Sequence, residues 1–218
     1  MFHLVVDLEM CNVPKIYRRN SYNYSKEIIQ IGAVLLDDEF KRVATLTQYV
    51  HPEYGVIDHF IENLTGIKNS QVKNAPLLQD ALIAMLNWIG DREYQVYAWS
   101  ETDRNQILHE LKAKKIDDER IVAFTECEKW IDYQSVFMER FGIGRQISLE
   151  EALNRTEIEP EGRFHDGLVD AINTGYLIEK LELNPGYQLV SYEVEEKETR
   201  PLSSTLGELF SNLNFQFT

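Results

Sequence analysis

The sequence predicts an α/β fold, and three observations carry that reading. Strand-like runs rich in Val, Ile and Leu come first, at His3–Glu9, Glu27–Asp37 and Lys41–Val50. Two further short runs, Tyr94–Trp99 and Lys129–Asp132, lead directly into helices. Between and after them apolar residues recur at helical spacing, most clearly over Asp166–Leu183. With 218 residues and 44% hydrophobic content, the chain can bury the core that such layers need. One domain over residues 1–184, with a C-terminal extension over 185–218, accounts for the length.

In the first strand, alternation sets Leu4, Val6 and Leu8 on one face and Val5, Asp7 and Glu9 on the other. Two carboxylates on one face repel unless something neutralises them, and a divalent cation held by hard oxygen ligands does so. The Asp7-Leu8-Glu9 triplet at the strand's end therefore reads either as half of a metal site or as a solvated strand terminus. Met10–Lys26 follows, where Lys15, Arg18, Arg19 and Lys26 alternate with Tyr17, Tyr22 and Tyr24. Cations interleaved with flat rings suit a flexible single strand, through phosphate contact and base stacking, so Arg18 and Arg19 are candidate phosphate contacts. The competing reading is a solvated loop. The next two strands are joined by the polar turn Asp37–Phe40, which predicts an antiparallel hairpin.

Ile57, Phe60, Ile61 and Leu64 give a half-buried helix ending at Gly66, and Leu78, Leu82, Met85 and Ile89 give a longer one over Leu77–Ile89. The aromatic strand Tyr94–Trp99 feeds a helix that opens at Ser100 and runs to about Lys114. Asp103 has two readings there. Ser100-x-x-Asp103 resembles a capping box, yet Asp103 also heads the stripe of Ile107 and Leu111, which turns its carboxylate inward, where it wants a partner and a cation would serve. Lys115–Glu128 is polar and predicts loop or irregular structure around Ile121–Phe124. Helices follow over Tyr133–Phe141, Ser148–Leu153 and Asp166–Leu183. His165 precedes the last of these, Gly167 next to it leaves room for a substrate, and Asp170 lies in the second turn. Finally, Thr205-x-x-Glu208 and the stripe Leu206, Leu209, Phe210, Leu213, Phe217 predict an amphipathic helix over Ser203–Phe215, which either docks on the catalytic domain or forms a surface for a protein partner or a homodimer.

The formal charge of −14 argues against broad, nonspecific wrapping of nucleic acid, although it is compatible with a local contact at a metal-loaded site. Cys11 and Cys127 form neither a disulfide framework nor a zinc spacing. No signal peptide or membrane-length apolar run is visible, so the expectation is a cytoplasmic protein with no membrane association.

Taken together, Asp7-x-Glu9 on the first strand, Asp103 after an aromatic strand and His165-x-x-x-x-Asp170 late in the chain resemble the ordered motifs of the DEDDh 3′-to-5′ exonucleases. Glu27–Ala33 is similar to that family's second strand, and Leu64-Thr65-Gly66-Ile67 to its segment before a helix. The likeness is greatest to the branch of small-RNA and histone-message trimming exonucleases and bacterial sporulation-inhibitor proteins. It implies a ribonuclease-H-like fold with a mixed five-stranded sheet flanked by helices. It also implies two divalent ions, Mg or Mn, held by Asp7, Glu9, Asp103 and Asp170, with His165 as general base and Met10 and Leu64 among the nucleic-acid contacts. The activity implied is hydrolysis of phosphodiester bonds at single-stranded 3′ ends, RNA before DNA, releasing nucleoside 5′-monophosphates. The sequence departs from many relatives at Met10-Cys11-Asn12 and Ser100-Glu101-Thr102, which bears on how the terminal sugar is held and removes none of the acids. The alternative is a regulatory protein that uses the same fold to contact a protein partner.

Overall fold

In the structure, a computed structural model that describes residues 1–18 and 22–189, three strands come first: β1 (Phe2–Asn12), β2 (Lys26–Leu36) and β3 (Arg42–Tyr49). Helices α1 (His59–Thr65), α2 (Asn69–Val72) and α3 (Leu78–Ile89) follow, then β4 (Tyr94–Ala98) and α4 (Glu101–Lys114). The remainder is α5 (Glu119–Phe124), a 3-10 turn, β5 (Trp130–Asp132), α6 (Tyr133–Phe141), α7 (Leu149–Arg155) and α8 (Gly167–Glu182). The strands form one sheet in the order β3-β2-β1-β4-β5. β1 pairs antiparallel with β2 and parallel with β4, so the sheet is mixed, as expected, and β1 lies at its centre.

The alternation read in β1 sorts its side chains between two cores. Leu4, Val6 and Leu8 pack with Leu82 and Met85 of α3 and Ile107 of α4. Val5 joins Val34 and Leu36 of β2 with Phe137 of α6 and Ile172 and Leu177 of α8. Each fully buried aliphatic side chain contributes about 1.5–3 kcal/mol. Both faces are covered, so apart from His3 and Asn12 the central strand is apolar on both sides wherever it is not making the site.

Two strand features differ from the expectation. The acidic triplet lies within β1 rather than at its end, because pairing to β2 resumes after a register shift between Glu9 and Met10 and continues to Asn12. Meanwhile β4 pairs only from Phe2 to Val5 of β1, so from Val6 onward that edge of β1 faces helix instead of strand. The expected loop at Ile121–Phe124 is a helix. The Asp118 carboxylate accepts the amides of Arg120 and Ile121, and Ile121 and Phe124 insert into the first core, so capping and burial order a short polar segment. In α1, Ile61 and Thr65 turn inward while Phe60 is 67% exposed, which narrows the apolar stripe.

The joint between β2 and α8 positions the site. A Cβ on Gly32 would lie 2.0 Å from the carbonyl carbon of Gly167, so helix and strand meet main chain to main chain. Gly167 also packs under the Asp7 carbonyl, and its amide donates to Gln30 Oε1 at 2.9 Å. Gly167 thus makes room for the sheet, and the expectation that it makes room for a substrate is corrected. Beyond α8, Tyr187 and Leu189 still pack against the second core, and the Tyr187 hydroxyl donates to the Thr156 carbonyl at 3.0 Å. The helix expected over Ser203–Phe215 lies outside the described residues. Among the described residues no helix is long and apolar enough to cross a membrane.

Candidate active site

Where β4 stops short, the amide of Leu8 has no strand to pair with, and Asp103 Oδ1 accepts it at 3.1 Å. This decides between the two readings of Asp103. The N-cap of α4 is Ser100, whose hydroxyl accepts from Thr102, while the Asp103 carboxylate is buried against β1. From the opposite side comes the start of α8. Its N-cap, Asp166, accepts the amides of Leu168 and Val169, and Gln30 Nε2 donates to the same oxygen at 3.4 Å. One turn on, Asp170 faces the sheet, and its Oδ2 accepts the main-chain N–H of His165 at 2.8 Å. His165 itself is exposed and holds a left-handed backbone, with φ of +65°, which costs a non-glycine residue about 1–2 kcal/mol. The Asp170 carboxylate ties that strained turn in place.

Asp7, Glu9, Asp103, His165 and Asp170 all line one cavity of about 520 Å³. Ligand atoms of Glu9, His165 and Asp170 lie within 4.8 Å of one another, and Asp7 and Asp103 border the same space. The electrostatics are those of crowded acids. Burial, then the Asp170 and Asp103 charges, push Glu9 up to about 8. Burial raises Asp103 to about 7 against the opposing hydrogen bond from Leu8, and Asp170 to about 6 against the hydrogen bond from His165. Asp7 is driven well above the ordinary carboxylate range by burial and by Asp103, Asp170 and Glu9. One oxygen, Asp170 Oδ1, is buried with no hydrogen-bond partner. Clustered, desolvated carboxylates with an unsatisfied oxygen are the donor set that a hard divalent cation requires, so the residues present fit such an ion.

Met10 and Leu64 line the cavity. Arg18 is not among its lining residues: its Nε donates to the Val13 carbonyl at 2.7 Å, and Arg19 lies outside the described residues. Sequence reasoning did not single out Lys26, Ile61, Trp99, Gln134 or Phe164, all of which face the cavity. Lys26 carried a signal, as part of the basic and aromatic stretch. Gln134 carried none, because only the path of β5 into α6 brings it there. A further tie joins the two walls. The Arg163 guanidinium donates to the Asn63 carbonyl and, at 3.1 Å, to the Leu64 carbonyl, linking the segment before His165 to the end of α1.

An exonuclease family model matches residues 4–178. The human protein ERI1 exoribonuclease 2 is 28% identical over 202 residues, covering 82% of this chain and 28% of its own length. The zebrafish (Danio rerio) protein of the same name is 28% identical over 211 residues, covering 86% of this chain and 36% of its own. The chain thus spans about a third or less of the length of these relatives. Among solved structures, a full-length 3′-exonuclease superposes with a TM-score of 0.73 at 20% identity, covering 89% of this chain and 91% of that one. At that level of identity the likeness is one of fold.

Proposed function

The chain belongs to the exonuclease family, and we propose that it is a metal-dependent 3′-to-5′ exonuclease acting on single-stranded ends, RNA in preference to DNA. The observation that carries this reading is the convergence of four carboxylates and one exposed histidine on a single cavity. Support for RNA comes from the relatives named as exoribonucleases and from a similarly folded nuclease domain, of a DEDDh family member, solved with rAMP.

Asp7, Glu9, Asp103 and Asp170 would hold two divalent cations. Such ions supply positive charge that acidifies a water and stabilises the departing oxygen. The chain's own residues do the rest. His165, exposed at the cavity rim, takes a proton from the attacking water at an imidazole nitrogen, and the backbone turn that carries it is fixed from behind by Asp170. Water oxygen bonds to phosphorus, the bond to the 3′ oxygen of the preceding nucleotide breaks, and that oxygen takes a proton from solvent, to which His165 returns the one it accepted. The released nucleoside keeps a 5′-phosphate. Met10 and Leu64 provide apolar walls for its base and sugar.

Incubation of a 5′-labelled oligoribonucleotide with the protein and Mn²⁺ tests the proposal. Stepwise shortening from the 3′ end, release of 5′-monophosphates and loss of both in EDTA are the expected results. Internal cuts, or equal cleavage with and without EDTA, would refute it.

A further inference from the structure

We propose that Lys26 grips a phosphate of the bound strand and is the principal basic contact inside the cleft; the proposal rests on the nuclease reading above. The cleft is dominated by carboxylates, while the strand entering it carries one negative charge per nucleotide. Of the described residues that line the cavity, Lys26 alone is a lysine or arginine.

Its setting separates a held position from a free charge. The Lys26 carbonyl accepts the Tyr22 hydroxyl at 2.6 Å and Gln106 Nε2 at 3.0 Å, which fixes the main chain. The next residue, Glu27, is fully buried and accepts the amides of Glu53, Tyr54 and Gly55 at 2.6–2.8 Å. The Lys26 side chain, by contrast, is exposed, and among the described residues it forms no ion pair.

A second lysine nearby shows what a structural role looks like in the same fold. Lys114 is 6% exposed and lies 2.6–3.0 Å from the carboxylates of Glu27, Glu53 and Glu110. It neutralises a buried acidic cluster and is consumed by it. Lys26 sits on the platform that this cluster builds, and its ammonium, whose charge acts on Glu9, is held by no carboxylate at ion-pair distance among the described residues. A non-bridging phosphate oxygen, which accepts charge-assisted hydrogen bonds, is the chemistry that matches. The candidate picked from sequence, Arg18, has its Nε committed to the Val13 carbonyl outside the cleft.

Lys26→Gln and Lys26→Arg, compared with wild type, test the assignment. For an oligoribonucleotide of about ten nucleotides, Lys26→Gln should raise KM about tenfold with kcat nearly unchanged, and Lys26→Arg should restore KM to within about threefold. The slope of log KM against log salt should fall by about 0.7, the contribution of one phosphate contact on a single strand. Because the side chain is exposed, melting temperatures should not move. An unaltered salt slope, or a loss confined to kcat, would overturn the assignment. Fluorescence anisotropy of the same labelled oligonucleotide needs no turnover. A wild type that binds but does not cleave would refute the nuclease reading, and the anisotropy salt slope of Lys26→Gln would then still decide the role of Lys26.

Discussion

Replacing Glu9 by Gln should stabilise the metal-free protein at neutral and alkaline pH. Burial, followed by the Asp170 and Asp103 charges, lifts Glu9 from the ordinary glutamate value of 4.5 to about 8. Between those values the native state keeps a proton that the unfolded chain has lost. The unfolding free energy then falls as pH rises, because its slope follows the protons bound by the unfolded state minus those bound by the native one. The stabilising side of this linkage is complete below about pH 4.5 and lost as pH passes 8. One pKa unit corresponds to 1.36 kcal/mol, so by pH 7 Glu9 alone has withdrawn on the order of 3 kcal/mol, a large part of an ordinary domain's 5–15 kcal/mol. Asp7 and Asp103 act in the same direction. Urea denaturation in EDTA at several pH values between 5 and 8 measures the effect. Wild type should lose stability across the range, while Glu9→Gln should lose it less steeply and exceed wild type at pH 7.5 by on the order of 4 kcal/mol. Millimolar Mn²⁺ should remove the advantage by binding the wild-type native state. Parallel stability curves, or a wild type more stable at pH 8 than at pH 5 without metal, would refute the reasoning.

His165→Ala should reduce kcat by about 10²–10⁴-fold while Mn²⁺ still raises the melting temperature, and a variant that no longer responds to Mn²⁺ would make His165 a ligand. His165→Gly should unfold about 1 kcal/mol later than His165→Ala, since glycine accepts φ of +65° freely; equal denaturation midpoints would argue against strain at that turn. Gly32→Ala should cost about 3 kcal/mol, because its methyl carbon would sit 2.0 Å from the α8 backbone, and an unchanged urea midpoint would contradict the tight joint. Arg163→Ala should leave stability within about 1 kcal/mol, as expected for an exposed side chain, yet lower kcat by loosening the segment that carries His165; Arg163→Lys should recover part of the rate, and full activity in the alanine variant would dismiss the tie.

The strands and long helices were legible because each carries its own period. The alternation in β1 separates two cores, and the stripe on α3 faces one of them. The acids of the site were legible too, since like charges on one strand face and an inward acid on a helix are each uncomfortable without a partner. What escaped was what depends on termination and crossing. That β4 stops opposite Val5 and so frees the Leu8 amide for Asp103 is a matter of strand length, on which local periodicity is silent. Helix α5 escaped because its order comes from one cap and two buried residues in an otherwise polar stretch. Gln134 and Trp99 reach the cavity through tertiary path alone. Within the basic loop, composition could not tell that the Arg18 Nε is already taken up by the Val13 carbonyl.

The contact between Gly32 and Gly167 has a bearing on how this site can change over time. Asp7 lies directly across the β1–β2 ladder from Gly32, and Asp170 lies three residues after Gly167 on α8. The interval between these two carboxylates is therefore measured by backbone against backbone, a ruler with no rotamers. Substitutions among Val34, Ile172 or Phe137 alter side-chain packing on one flank and leave the graduation of that ruler alone. The two cores are free to drift in sequence while the distance across which a phosphodiester must fit is kept by two positions that have no side chain to lose.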